Sequence, residues 1–332
     1  MICKSGPSCG FLVDQLTDIR ASMTSPNGLS GIILAITMML LVGRSDLHAQ
    51  SGFLPPSDGL NRGRLQTVVI TEALVGTATM VLLNRLWYKK NKGSRFHLFN
   101  DNGEWMGMDK LGHATTAYNI SALQYDIFRW TGLGPGRSSL YARLTALGFQ
   151  GLIEIFDGFS SGWGFSTGDM LANLSGIALF GAQQAAWGNQ RVSMQFSFHP
   201  SPYAAFNKEL LGHHFSERIL KDYNGQTYWL SLNLGSLLPH AGLPAWLSAS
   251  FGYGASGLIG ARRNPSNIGG KDIPQFPRER RFLFAISPTS ASLEPTSFGV
   301  GTLKFINTIF KAPAPALEYR TGSGIRIHPF YF

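Results

Sequence analysis

Three short blocks of this chain place ionisable side chains at helical spacing inside otherwise apolar segments. The first reads Met108-Asp109-Lys110-Leu111-Gly112-His113, the second runs from Glu154 to Ser160, and the third runs from Gly164 to Asn173. Asp109 and His113 are four residues apart, Glu154 and Asp157 three, Asp169 and Asn173 four, so each pair shares a helix face. Burying such groups is costly unless they satisfy one another, hold an ion or meet a polar ligand. Asp109, His113, Glu154, Asp157 and Asp169 offer carboxylate oxygens and one imidazole, a donor set suited to a divalent metal such as Zn, Mn or Mg. The same groups suit general acid–base catalysis, with His113 titrating near neutrality, Glu154 raised by burial and Asp157 beside it. A third reading needs no ligand. Asp109 caps its helix, Ser166 and Asp169 form a capping box, Lys110 pairs with Glu154 or Asp157, Asn173 bonds a neighbouring helix, and His113 is a satisfied core histidine. All three readings require the blocks to meet at one point.

Other chemistries find little support. The glycine-rich loop from Gly158 to Gly168 lacks the Gly-Lys-Ser/Thr ending of a phosphate loop, and no Gly-x-Ser-x-Gly elbow surrounds Ser160 or Ser161. The two cysteines, Cys3 and Cys9, lie in a segment expected to be removed, which leaves no thiolate ligand or disulfide in the mature chain.

The elements that would position these groups are helices over residues 65–88, 110–130, 138–155 and 167–187. A polar loop over residues 91–107 and a Gly132–Gly136 break separate them, and four such helices suit a bundle. The first ends in Trp87-Tyr88 and lysines, which fits either a helix end at a membrane interface or a core helix with a solvated end. From residue 191 onward the period changes to two. Segments 191–199, 227–237, 245–256, 281–287 and 317–328 alternate apolar residues with Ser, Gly and Asn, and the last splits into two short strands. Such strands suit either a small outer-membrane barrel or partial barrel, or a sheet whose apolar face packs on the helices. An amphipathic helix is expected over 203–222, a short helix over 303–310 and a long loop over 264–277. The fold class is therefore α+β: a targeting segment at 1–50, a helical domain at 51–188 and an antiparallel β region with short helices at 189–332.

Composition points to the cell envelope. Of the 332 residues only 14% are charged against 44% hydrophobic, where charged residues make up about a quarter of a typical soluble domain. The apolar run from Ile32 to Val42, followed by small and polar residues to Ala49-Gln50, reads as an export signal. The net charge of +9 suits anionic lipid headgroups or phosphate-bearing glycolipid. No nucleic-acid motif accompanies it, so nucleic acid is not an expected partner.

The helical half resembles a known family. Met108 to His113, Glu154 with Asp157, and Ser161-Gly162-Trp163-Gly164-Phe165-Ser166 followed by Asp169 are similar to the YfiM-like predicted periplasmic lipoproteins, over roughly residues 100–187. The β-rich half, including the run Asp222 to Trp229, resembles longer members of Bacteroidetes type. A fainter likeness is to VanZ-like membrane proteins, which share an Asp-Lys-x-x-His block and a Ser-x-x-Asp-x-x-x-Asn block. The resemblance implies an exported protein at the outer membrane or periplasmic face of a Gram-negative envelope, without an established chemistry. Two functions remain open: a structural polar network, or a metal-dependent or acid/base enzyme or binder acting on phospholipid, lipid A or another envelope glycolipid. A cleft reaching His113 would separate them.

Overall fold

Antiparallel strands and apolar helices meet in one molecule, with their polar and apolar faces arranged in an unusual way. The structure is a computed structural model, and it describes Leu54, residues 56–86, Gly93, residues 95–289 and residues 298–331. The expected targeting segment with both cysteines, and the basic run after Tyr88, lie outside the described residues.

Helix α1 spans Arg62–Leu86, α2 Met108–Trp130, α3 Pro135–Gly158 and α4 Thr167–Trp187. Helices α2, α3 and α4 form the bundle, around Ala117, Ala146 and Ile177. Its close packing depends on Gly176, where a Cβ would fall on the carbonyl oxygen of Ala114 in α2. Helix α3 starts earlier than expected, because Pro135 sits in its first turn and Gly134 is the N-cap. Ser138 and Ser139 are buried inside it and do not cap it. Helix α1 stands off. Its foot is tied to the end of α2, with the amide of Asn61 donating to the Thr131 carbonyl at 2.8 Å and the Arg64 guanidinium lying over Trp130. Val69, Ile70, Leu74, Val81 and Leu82 are exposed, so among the described residues α1 is not a core helix. By length and composition α1 is able to cross a membrane.

The strands are β1 (Val192–Phe198), β2 (Gln226–Asn233), β3 (Leu247–Ser256), β4 (Asn267–Ile268), β5 (Lys271–Asp272), β6 (Glu279–Pro288), β7 (Ala314–Arg320) and β8 (Gly324–Tyr331). Six of them form an antiparallel sheet in the order β1-β2-β3-β6-β7-β8, and β4-β5 is a separate hairpin inside the expected 264–277 loop. The sheet does not close: β1 and β8 are its edges, so a closed barrel is corrected to a curved open sheet. Beside β1 lies helix α6 (Phe298–Ile309), and the amide of Lys311 donates to the Phe196 carbonyl. The expected 203–222 helix is broken. Gly212, at φ +98, ends a four-residue turn at Lys208–Leu211, and α5 (Phe215–Lys221) follows.

Register explains how the sheet is lined. Leu230, Phe251, Phe284, Leu317 and Ile327 are cross-strand neighbours, and all five are exposed. The adjacent row, on the other face, runs Ser231, Ser250, Ala285, Ala316 and is buried. That face also holds the fully buried Glu318, which accepts from His328 Nε2 at 2.8 Å and pairs with Arg320 and Arg281. Trp229 and Tyr331 meet edge to face on it. Among the described residues, Phe196, Tyr228 and Tyr253 at one corner of the apolar face pack on the bundle around Met108.

Candidate functional site

Asp109, Lys110 and His113 sit on the first turns of α2, which begins from an unusual backbone. Trp105, Met106 and Gly107 all have positive φ, at 50°, 56° and 82°. Only the glycine adopts this without strain. Two contacts hold the other two residues: the Trp105 amide donates to the Ala261 carbonyl at 2.8 Å, and the Tyr253 hydroxyl donates to the Met106 carbonyl at 2.6 Å. The β region thereby sets the start of α2. Gly107 is the N-cap, so Asp109 does not cap the helix as expected. Its Oδ1 instead accepts from the Tyr223 hydroxyl at 2.7 Å.

The other two blocks arrive on α3 and α4. Ser166 is the N-cap of α4, its Oγ accepting from the Asp169 amide at 3.1 Å. The expected capping box is completed differently, because the Ser166 amide donates to Oε2 of Glu154, from α3. Lys110 does not reach Glu154 or Asp157 as expected. Its Nζ lies 2.6 Å from Asp101, 2.7 Å from Asp169 Oδ1 and 3.3 Å from Asp109. Asn173 Oδ1 accepts from Gln150 Nε2 at 2.8 Å and lies 3.2 Å from His113 Nδ1.

His113 is thus ringed. Glu154 Oε1 is 3.6 Å from Nδ1, while Asp109 Oδ1 and Asp169 Oδ1 are 4.0 and 3.9 Å from Nε2. With Nδ1–H directed at Asn173, Nε2 is the ring nitrogen that has no direct partner, since 3.9 Å exceeds hydrogen-bonding distance. A water or a ligand oxygen fits between such groups. Among the described residues, Glu154 Oε1 and Asn173 Nδ2 are buried without hydrogen-bond partners.

The electrostatics follow from this geometry. Burial pushes the Glu154 carboxyl up to about 7 against the opposing pull of His113. Burial, and then the Asp109 charge, push Asp169 up to about 8. Burial alone would lower His113, but Asp109, Asp169 and Glu154 more than reverse it and favour the imidazolium. Lys110 is likewise raised: burial opposes its charge, and Asp101, Asp109 and Asp169 outweigh it. Asp101 is lowered, since hydrogen bonds from Asp169, Lys110 and Ser166 overcome its burial.

The site opens onto a cavity of about 600 Å³ that is lined by Asp109, His113, Asp157 and Asp169 and walled by apolar side chains of α1, α2 and α3, β1 and Phe310. Asp157 lines this cavity one turn beyond Glu154, and its charge acts on Glu154. The structure therefore brings Asp109, Lys110, His113, Glu154, Ser166, Asp169 and Asn173 into one network, and Asp157 to its margin. The network is open on its cavity side.

Asp109, His113 and Asp169 offer ligand atoms within 4.8 Å of one another. A divalent ion bonds such atoms at about 2.0–2.2 Å, so the three would have to close in. The oxygen Asp169 would offer already faces the Lys110 ammonium, and that of Asp109 already accepts from Tyr223. As arranged, Lys110 supplies the positive charge that a resident ion would bring.

Three contributors escaped sequence reasoning: Asp101, Gln150 and Tyr223. Tyr223 lies in the Asp222-Tyr223-Asn224 run, but its contact with Asp109 spans 114 residues, which no local spacing reveals. Asp101 lay in a segment read only as a polar loop.

Residues 97–183 match the family model described as predicted periplasmic lipoprotein (DUF2279). The match covers about a quarter of the chain and contains every charged member of the network described above. It fits an exported envelope protein whose activity is not established. No curated protein and no solved structure is detectably similar to the chain.

Proposed function

We propose that this protein is a membrane-seated component of the Gram-negative envelope, at the outer membrane, whose His113 centre performs general acid–base chemistry on the head group of an envelope lipid or glycolipid. The observation that carries this reading is the position of His113. Its Nδ1 is fixed by Asn173, and its Nε2 is unpaired beside two carboxylates at the polar end of a largely apolar cavity. A head group would rest among the charges and its chain along the apolar walls. His113, favoured as imidazolium, gives its Nε2 proton to an oxygen of the head group. A carboxylate beside it takes a proton from the water that attacks the head group, the bond to the protonated oxygen breaks, and the carboxylate then passes its proton to Nε2, so both groups return to their starting state.

The test is incubation of the purified chain with a bacterial envelope lipid extract, read by mass spectrometry. Turnover by the native protein, falling at least about 100-fold in His113→Gln with thermal stability retained, is expected. Equal product from the native protein and His113→Gln, or no product from either, would overturn it. The same preparation addresses a second reading, favoured by the clustering of Asp109, His113 and Asp169. Stoichiometric divalent metal, lost in Asp109→Asn with Asp169→Asn, would replace the proton chemistry with metal-assisted chemistry.

A further inference from the structure

The two rims of the open sheet differ in charge. At one, residues 257–280 lead from β3 into β6 and carry Arg262, Arg263, Lys271, Arg278 and Arg280 against Asp272 and the buried Glu279. At the other, residues 234–246 join β2 to β3 without any Asp, Glu, Lys or Arg, and Leu238 and Trp246 are exposed there.

The charged rim is held as one piece. Arg278 donates to the Gly260 and Ala261 carbonyls, both at 2.7 Å, and Asn264 donates to those of Gly257 and Phe276. The Arg280 backbone exchanges hydrogen bonds with Thr321, in the turn between β7 and β8. Arg262 reaches across to the segment before α2 and lies 3.1 Å from Glu104, which lines the His113 cavity. The rim therefore borders the charged end of that cavity. Arg263, Lys271 and Arg280 remain exposed on it.

The strand below shows what these cations are for. Along β6, Arg280, Phe282, Phe284 and Ile286 alternate onto one face, and all four are exposed. Phe282 has Tyr319, also exposed, as its cross-strand neighbour on β7 and the Tyr253 ring on its other side. The face thus reads cation, aromatic ring, hydrocarbon, over about 20 Å of strand. The same order is met on passing from a lipid head-group layer into a bilayer. A basic loop in water has no need of the aromatic row or of the apolar side chains beneath it.

Resting on the membrane seating proposed above, but not on the chemistry at His113, we infer that this rim docks on the phosphates of an anionic lipid leaflet. Arg263, Lys271 and Arg280 lie in the head-group layer, with Phe282 and Tyr319 just beneath. Docking there also holds the charged end of the His113 cavity at the level of the head groups. Each such cation adds roughly fivefold to the affinity for an anionic surface.

The test titrates the full chain in mild nonionic detergent with dioctanoyl phosphatidylglycerol or dioctanoyl phosphatidylcholine, and reads bound lipid by native mass spectrometry. The anionic lipid is expected to bind at least about tenfold more tightly, with most of the margin lost between about 50 and 500 mM salt. Arg263→Gln with Arg280→Gln should remove most of the preference by weakening the anionic lipid alone. Both side chains are exposed and the Arg280 bonds are made by its backbone, so melting should be retained. Arg62→Gln with Arg137→Gln takes the same charge from the far end of the bundle and should leave the preference in place. His113→Gln should bind both lipids as the native protein does. Equal binding of the two lipids, binding of neither, a preference that survives in the rim variant, or equal losses in the two double variants would overturn the inference. Loss in His113→Gln would put the lipid in the cavity, and displacement by inorganic phosphate would make the rim a phosphate site; either overturns it too. Such a failure in a chain that still needs detergent sinks this inference alone, whereas a chain soluble without detergent sinks the seating it rests on.

Discussion

Glu154 shows what a single buried carboxyl does here. It is fully buried, its Oε2 accepts the Ser166 amide, and its pKa rises from 4.5 to about 7. The native state thus holds a proton that the unfolded chain releases at lower pH. Between those values the native state binds more protons than the unfolded chain, so stability falls as pH rises through the window. Asp169, raised from 3.8 to about 8, acts with the same sign. Glu154→Gln keeps an oxygen for Ser166 and removes the ionisation. Thermal or urea unfolding from pH 4.5 to 8.5 should show a flatter profile in the variant, with a gain on the order of 2 kcal/mol at the alkaline end and little change at the acid end. A parallel profile would mean that Glu154 stays charged throughout. Lys110 makes the opposite case, because it neutralises a convergence of Asp101, Asp109 and Asp169. Lys110→Met should cost about 3 kcal/mol, as removal of one partner from a buried ion pair does. Adding Asp101→Asn to it should recover part of the loss, because one of the stranded charges is gone.

At the scale of elements, the α2–α4 contact positions two of the three blocks, and Gly176 is where it is closest. Gly176→Ala should push the helices apart and lower the melting temperature, because the new methyl meets the Ala114 carbonyl. Gly148→Ala is the control: it lies in α3 with open space around it, and should gain about 0.5–1 kcal/mol. Equal effects in the two variants would deny the close approach. The same elements show what the sequence made legible. Strand β3 could be read because one face is apolar and the other is Ser or Gly, and β2 and β6 because their apolar residues still fall at every second position, an alternation that register preserves across the sheet. The three polar blocks could be read because helical spacing is local. The broken 203–222 segment could not, because its apolar residues keep helical spacing while Gly212 takes a positive φ. Closure of the sheet was not legible either, since β1 and β8 are defined by what they fail to pair with. The ties from Tyr223, Tyr253 and Asp101 to the α2 start are tertiary contacts, which leave no mark on local pattern.

Across the whole molecule, among the described residues, the sheet exposes an apolar face and buries a mixed one, where Ser231, Ser250, Arg281 and Glu318 lie beside Trp229, Leu283 and Ala285. Phe251 is 53% exposed and Ile327 78%, while Arg281 and Glu318 on the other face are essentially fully buried. Among the described residues, the bundle meets the apolar face at the Phe196–Tyr228–Tyr253 corner, and α1 carries a further row of exposed Val, Ile and Leu. Water would leave both surfaces exposed at a high cost. On the proposed membrane seating, hydrocarbon contact would remove that cost and would account for the low share of charged residues in the chain. The native protein should therefore sediment with envelope membranes, resist an alkaline wash and need detergent for extraction. Charge placed on the apolar face should reverse this. A lysine facing lipid costs about 2–4 kcal/mol at mid-bilayer, so Phe251→Lys with Phe284→Lys should move the protein into the washed supernatant. Because both side chains point away from the Arg281–Glu318 cluster, melting of the detergent-purified variant should stay close to that of the native protein. A native chain that is monomeric and soluble without detergent would show that its apolar face needs no lipid, and membrane seating would fall even if the chemistry at His113 stood.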